Sequence, residues 1–393
     1  MRREVFTGTE SSVSSCCVSQ SAYTVRTSTT WYEFYIEANT IDFYYIKSTN
    51  RGISWSVPIS IHAGTVQICS VWFDKRTPGD TGTLVNLSYI DFANHTVYYR
   101  SFDTNGDSLG TERTVFTGVS SVAGANTCLT ITKMRGGKLR IIFDLDGGTE
   151  TGHYDSTDGI TWNLRADPNE ATSDYYLAFP DNATDNQDAI IAFWDRSAEE
   201  ISVKSFDDSG DAWAEVSVAT SMTDIAATTA GSQWAGVVRD TDNHLLLAAW
   251  SNRDTLNADL RLFDINTSAS ITEKTNIVQN STDDQSNVAL CMDTDNDWIY
   301  AFYFGKSDGS ETVGTTVGLY YKVSTDGGTT WGSETSVGVI LRDYRCLIAD
   351  PLFNAGEYML VLGYANIGAA RLPIASIAVI PTFPPIMTGG FNV

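Results

Sequence analysis

Apolar runs of six to eight residues recur along the chain at intervals of about fifty to sixty residues, each bounded by turn-forming polar clusters. Seven are plain: Trp31–Ala38 (WYEFYIEA), Thr83–Ile90 (TLVNLSYI), Lys138–Leu145 (KLRIIFDL), Ala189–Asp195 (AIIAFWD), His244–Trp250 (HLLLAAW), Trp298–Phe304 (WIYAFYF) and Glu357–Tyr364 (EYMLVLGY). Each is too short for a helix, is rich in β-branched or aromatic residues, and lies between Gly, Asp and Asn turns. Around each run the order repeats: a short apolar strand, the long run, an alternating strand and a polar strand. These strands are labelled A to D. No amphipathic segment of helical period interrupts them, so the pattern predicts an all-β chain.

The C–D turn carries a second repeat. Ser324–Trp331 reads STDGGTTW and Ser48–Trp55 reads STNRGISW. Ser156–Trp162 (STDGITW) is one residue shorter, Ser205–Trp213 (SFDDSGDAW) one longer, and Ser101–Ser108 (SFDTNGDS) lacks the Trp. In such a turn an Asp or Asn side chain accepts turn amides, a Gly supplies a positive φ, and a Trp packs against a neighbouring hairpin. The candidate fastening residues are Ser48, Asn50, Gly52 and Trp55; Ser156, Asp158 and Trp162; Ser205, Asp207 and Trp213; and Ser324, Asp326, Gly328 and Trp331.

Seven copies of a four-stranded unit predict a seven-bladed β-propeller spanning residues 1–380, followed by the proline-rich tail Pro381–Val393. The seventh unit lacks a D strand after Arg371–Ile380. Arg3–Gly8 (REVFTG) nearly repeats Arg113–Gly118 (RTVFTG), a D strand of the second unit. The N-terminal strand is therefore expected to complete the last blade and remove two open sheet edges. Six blades, with the seventh unit an appendage, is the alternative.

On the S-x-D-x-G-x-[ST]-W turns, the chain resembles the Asp-box (BNR-repeat) sialidase-like β-propeller superfamily over nearly its whole length. The resemblance implies a ligand site on the face opposite the Asp-boxes, built from D–A and B–C connections. It also implies an arginine triad, a Tyr–Glu nucleophile pair and an Asp acid/base wherever the fold is catalytic. The match to that set is poor. The early R-I-P motif is missing, and Arg26, the nearest candidate, lies at the wrong end of its strand. Arg196, Arg253, Arg342 and Arg345 are placed to reach the ligand face, and no Tyr–Glu pair can be assigned from sequence.

Aromatic and charged residues cluster on the same loops. Trp194, Asp195 and Arg196 lie in one group, Trp250 and Arg253 in another, and Arg342, Tyr344 and Arg345 in a third. Rings beside guanidinium and carboxylate groups suit sugar binding by stacking and bidentate hydrogen bonds. Ordinary blade-rim packing with solvated ion pairs is the other reading of the same residues, and the one that exposed pairs by themselves favour.

Charge narrows the partners. The 393 residues carry 48 acidic and 25 basic side chains, a formal net charge of −23, which opposes binding to a phosphate polymer. Nucleic acid is excluded on this ground, and no stretch is long and apolar enough for a membrane span. MRREVFTGTESS has no apolar core after its arginines and does not read as a Sec signal peptide. Cys17, Cys69, Cys128, Cys291 and Cys346 fall in or beside A strands, and with Cys16 they fit no zinc spacing; they read as small buried hydrophobes. The turns Asp293–Asp297 (DTDND) and Asp240–His244 (DTDNH) lack the Gly and Glu of a calcium loop. The four histidines form no metal set. No metal or cofactor is expected.

The function that follows is a non-catalytic interaction or assembly module. It would be an externally exposed structural or glycan/receptor-binding subunit, of the kind a virus or phage virion uses. Its partners would be protein neighbours in an assembly, surface glycans, or further copies of itself. The alternative is a sialidase-like exo-glycoside hydrolase.

Overall fold

The computed structural model describes residues 2–3, 22–37, 40–50, 54–119, 128–145, 150–168, 173–195, 200–219, 234–251, 258–267, 270–281, 288–304, 317–340, 344–353, 359–367 and 370–379. Their strands form a β-propeller of four-stranded antiparallel blades. Apart from one 3₁₀ turn at Asp74–Arg76, the described secondary structure is all β.

The strands fall into seven sheets. In A-to-D order the first is Ala22–Arg26, Trp31–Ile36, Phe43–Ser48 and Ile59–His62. The second is Val66–Phe73, Leu84–Asp91, Thr96–Asp103 and Arg113–Thr117. The third is Cys128–Lys133, Leu139–Leu145, Glu150–Ser156 and Asn163–Leu164, and the fourth Ser173–Pro180, Ala189–Asp195, Glu200–Asp207 and Ala212–Ala219. The fifth is Trp234–Val238, Leu245–Trp250, Ala258–Thr267 and Ser270–Glu273, with Val278–Ser281 added at its outer edge. The sixth is Val288–Asp293, Trp298–Phe304, Val317–Ser324 and Thr335–Ile340. In the seventh, Tyr344–Ala349, Met359–Ile367 and Ala370–Val379 are joined by Arg2–Arg3, which runs antiparallel with Arg2 opposite Ile377 and Arg3 opposite Ser376. The rest of the expected closing strand, Glu4–Gly8, lies outside the described residues.

The seven A strands adjoin in chain order, and the seventh meets the first. Side chains help to tie these inner strands: Ile131 N–H donates to Ser70 Oγ, and Ala178 N–H to Thr130 Oγ1 (both 3.0 Å). Cys69, Cys128 and Cys291 lie in A strands as buried thiols outside any disulfide. Cys16 and Cys17 and the Cys346 side chain lie outside the described set.

The core is laid down between sheets, because each sheet presents both faces to neighbours. Between the first and second it is aromatic: the Phe102 ring lies 4.9 Å from Tyr45, 5.2 Å from Tyr32 and 5.7 Å from Phe34. Between the fifth and sixth it is mainly aliphatic, with Leu246, Ala248, Leu262, Ile299 and Ala301 fully buried. Burying each such large side chain contributes about 1.5–3 kcal/mol.

Alternating strand direction places A–B and C–D turns on one face and B–C and D–A connections on the other. On the first face the C–D turns work as the sequence implied. Asp326 Oδ1 accepts the Thr330 amide at 2.8 Å and the Ser324 hydroxyl at 2.8 Å. Asp158 Oδ1 accepts the amides of Ile160 and Thr161, both at 2.8 Å, and Asn50 Oδ1 that of Ser54 at 2.8 Å. Gly159 (φ +67°) sits so close to Tyr99 of the previous sheet that a Cβ would come within 2.8 Å of the ring. Three of the turn tryptophans also reach back one sheet. Trp162 packs on Tyr99, Trp213 Nε1 donates to Ala166 O (2.8 Å), and Trp331 Nε1 donates to Thr275 O (3.0 Å). Gly52 lies outside the described residues.

The acidic A–B turns are closed by their own side chains. Asp293 Oδ1 accepts the Asp295 amide at 3.0 Å, and Asn243 and Asp297 take the positive φ of the turn. Arg26 stands at this end of its strand, 3.9 Å from the buried Asp350, which Arg76 approaches at 3.7 Å.

Candidate functional site

The face opposite the C–D turns is described mainly where the outer strand of one sheet meets the next sheet. At this seam a pattern recurs in the second, fourth and sixth sheets. A cation on strand C faces a Glu in or just before strand D, and its head group donates to a backbone carbonyl of the preceding sheet. Arg100 Nη1 reaches Ile61 O (2.6 Å), Lys204 Nζ reaches Pro168 O (2.8 Å) and Lys322 Nζ reaches Ile277 O (2.9 Å). The corresponding glutamates are Glu112, Glu215 and Glu334; Lys204 and Glu215 are 3.5 Å apart. In the third and fifth sheets the register puts Tyr154 and Phe263 where these cations stand.

Two of these seams hold a Tyr–Glu pair. Tyr89 donates to Glu112 Oε2, and Tyr303 to Glu334 Oε2 at 2.6 Å. Both tyrosines project from strand B towards the preceding sheet and are fully buried. Burial first, and then the adjacent glutamate, push both phenols well above their ordinary range. Each therefore stays protonated and acts as a hydrogen-bond donor. In the fourth sheet the corresponding residue is Phe193, with Lys204 Nζ 5.7 Å from its ring centre.

The seam between the first and second sheets adds a histidine. His62, the last residue of its D strand, places Nδ1 2.9 Å from Glu112 Oε2 and Nε2 3.0 Å from Asp91 Oδ2. Its ring lies 5.1 Å from Tyr89 and 5.2 Å from Tyr98. Asp91 is buried, which alone would raise its pKa. Hydrogen bonds from His62, from Asn94 and from the Thr65 amide outweigh this and hold it below the usual carboxylate range. Glu112 is the most open member, with a side chain about one-third exposed at 32%. The cluster can hydrogen-bond a ligand at its rim.

The sequence-derived ligand candidates are distributed differently. Trp250 is fully buried, on the strand face that carries Leu246 and Ala248, 6.2 Å from the Tyr303 ring. It belongs to the core between the fifth and sixth sheets, which corrects its assignment to a binding surface. Trp194 and Asp195 end strand B of the fourth sheet, and Tyr344 and Arg345 begin strand A of the seventh; their side chains are outside those described. Arg196, Arg253 and Arg342 lie outside the described residues altogether. The Tyr–Glu pairs were missed. A tyrosine inside an apolar strand reads as core, and its glutamate lies on a different strand. Only the register joins them.

No family model and no curated protein matches this chain. Solved structures share its fold. One is a PL25 polysaccharide lyase, an ulvan lyase bound to -[GlcA(1-4)Rha3S]-, with TM-score 0.57 and 9% identity over 95% of this chain and 94% of the other. Another is a mutant of AofleA from Arthrobotrys oligospora, with TM-score 0.50 and 11% identity over 86% and 92%. A Hadza microbial sialidase gives TM-score 0.48 and 14% identity over 96% and 69%. At these identities the likeness establishes the β-propeller fold.

Proposed function

We propose that this chain is a non-catalytic β-propeller interaction module whose ligand is a carbohydrate. The observation that carries the reading is the burial of both Tyr–Glu pairs. Covalent glycosyl transfer by a tyrosine needs a phenol that can lose its proton and touch the anomeric carbon. Tyr89 and Tyr303 have no exposed surface, and their pKa values are shifted against ionisation. Carbohydrate as the ligand class is supported by the polysaccharide lyase of like fold, whose structure holds a glycan.

The reading extends to the architecture. Seven sheets with adjoining inner strands support a seven-bladed ring in residues 1–380, closed by Arg2–Arg3, over the alternative of six blades. The bonded C–D turns support assignment to the Asp-box type. Trp194, Asp195, Arg196, Arg253, Arg342, Tyr344 and Arg345 remain proposed ligand contacts on the B–C and D–A face. An external or virion-borne assembly role stays part of the proposal, and the acidic surface is compatible with it.

A glycan-processing enzyme is the second reading. It is favoured by one observation: Tyr89, Glu112, His62, Asp91 and Arg100 converge at a single seam. A screen of the purified chain over fluorogenic glycosides, sialosides included, separates the two. No enzyme-like turnover is expected. Turnover abolished by Glu112→Gln in a folded variant would establish the second reading.

A further inference from the structure

A concave surface of about 430 Å³ opens on the face of the sixth sheet turned away from the fifth, at its Asp-box end. Its floor is Tyr300 and Tyr321, nearly buried, with ring centres 6.2 Å apart. The half-buried rings of Trp298 and Trp331 border it, and exposed Thr325 and Thr330 supply hydroxyls. Among the described lining residues none is charged.

The uncharged lining follows from the strand register. Strand alternation sends Lys322 to the opposite side of the sheet, where it bonds Ile277 O, and Glu334 bonds Tyr303 there as well. Asp326, in the turn between Thr325 and Thr330, already accepts from Ser324 and from Thr330 Oγ1 (2.6 Å). It leaves the Thr330 oxygen free to accept a further hydrogen bond.

We propose that this cleft binds a neutral pyranose, held by stacking on the Trp298 ring and by hydrogen bonds to the threonine hydroxyls. This inference rests on the carbohydrate-binding reading above and adds a further site to it, at the end opposite the B–C and D–A contacts. The volume suits one or two sugar rings, in the usual range for small-ligand sites. Large amphipathic rings beside hydroxyls match the alternating C–H and O–H surface of a sugar. A uronate or sulphated sugar finds no cation among the described lining residues, and the net charge of −23 opposes its approach. The chemistry thus differs from that of the anionic glycan held by the ulvan lyase.

The test is calorimetric titration of the full chain with the methyl glycosides of glucose, galactose, mannose and fucose, and with galacturonic and N-acetylneuraminic acids. Saturable binding of at least one neutral glycoside is expected, with a change in tryptophan fluorescence. It should weaken roughly tenfold or more in Trp298→Ala, a loss of about 1.4 kcal/mol, and recover in Trp298→Phe. Neutral binding unchanged in Trp298→Ala, or binding confined to the two acids, overturns this site but leaves the module reading standing. Binding of none of the six overturns both.

Discussion

His62 and His153 occupy seams of opposite electrostatic character. His62 stands between Asp91 and Glu112 at the first seam, open enough to meet solvent. His153, at the seam of the third and fourth sheets, is wholly buried and faces guanidinium: Arg140 Nη1 lies 3.0 Å from Nε2. Its Nδ1 is 2.9 Å from Ala166 O, which can only accept, so Nδ1 carries the hydrogen and Nε2 accepts from Arg140. Burial, and after it Arg140, push the His153 pKa down to about 3. One seam offers a histidine two acceptors and access to water, and the other offers a donor and no water. The first can present hydrogen-bonding groups to a ligand, while the second locks two sheets together.

The largest effect should come from breaking the locked seam. Arg140 is fully buried, bonds Asp208 and Gln187 O, and lies 4.4 Å over the Phe206 ring. Arg140→Ala should cost about 3–5 kcal/mol by denaturant unfolding, because Asp208 and His153 lose their shared partner. Arg100→Ala at the open seam should cost clearly less. Equal losses would erase the distinction between the two seams.

Next comes pH. His153 is neutral in the folded chain down to about 3, whereas in the unfolded chain it takes a proton near its ordinary 6.5. Its contribution is therefore fully present above pH 6.5 and lost as pH falls towards 3, by at most about 1.4 kcal/mol per unit. Asp181 works in the opposite sense. Burial holds its carboxyl up to about 6, so its contribution falls as pH rises from its unfolded value towards 6 and offsets His153 in between. Between pH 4 and 6 the slope of stability against pH should become more positive in Asp181→Asn and more negative in His153→Gln. A profile unchanged by both would contradict the assignment.

The smallest effect sharpens the likeness of the two Tyr–Glu seams. Tyr89→Phe and Tyr303→Phe each remove one hydrogen bond to a carboxylate from a packed ring, and each should cost about 1–2 kcal/mol. A much larger loss for Tyr89 alone would mark that seam as more than a clasp.

Much of this was legible beforehand, for identifiable reasons. The B strands declare themselves because each is buried on both faces and so reads as continuous apolar sequence. The C–D turns are legible because a short Asx turn needs its Asp and Gly within a few residues. The likeness of REVFTG to RTVFTG pointed to the partner of the seventh sheet. The seams were opaque because Tyr89 and Glu112 meet only through the register of three strands. Trp250 misled because it ends its strand beside a polar loop, while alternation with Leu246 and Ala248 turns it inward.

Arg2–Arg3 pairs with Ser376–Ile377, and nearly the whole described chain lies between the partners. This has a consequence in time. During synthesis the closing strand is made long before the edge it joins. Until Ala370–Val379 is in place, the growing ring carries an open sheet edge able to pair with another chain. The contact that closes the ring is also its slowest to reach, since loop-closure entropy must be met before any bond forms. Exposure to aggregation should therefore be set by how quickly this last pairing follows release of the seventh sheet.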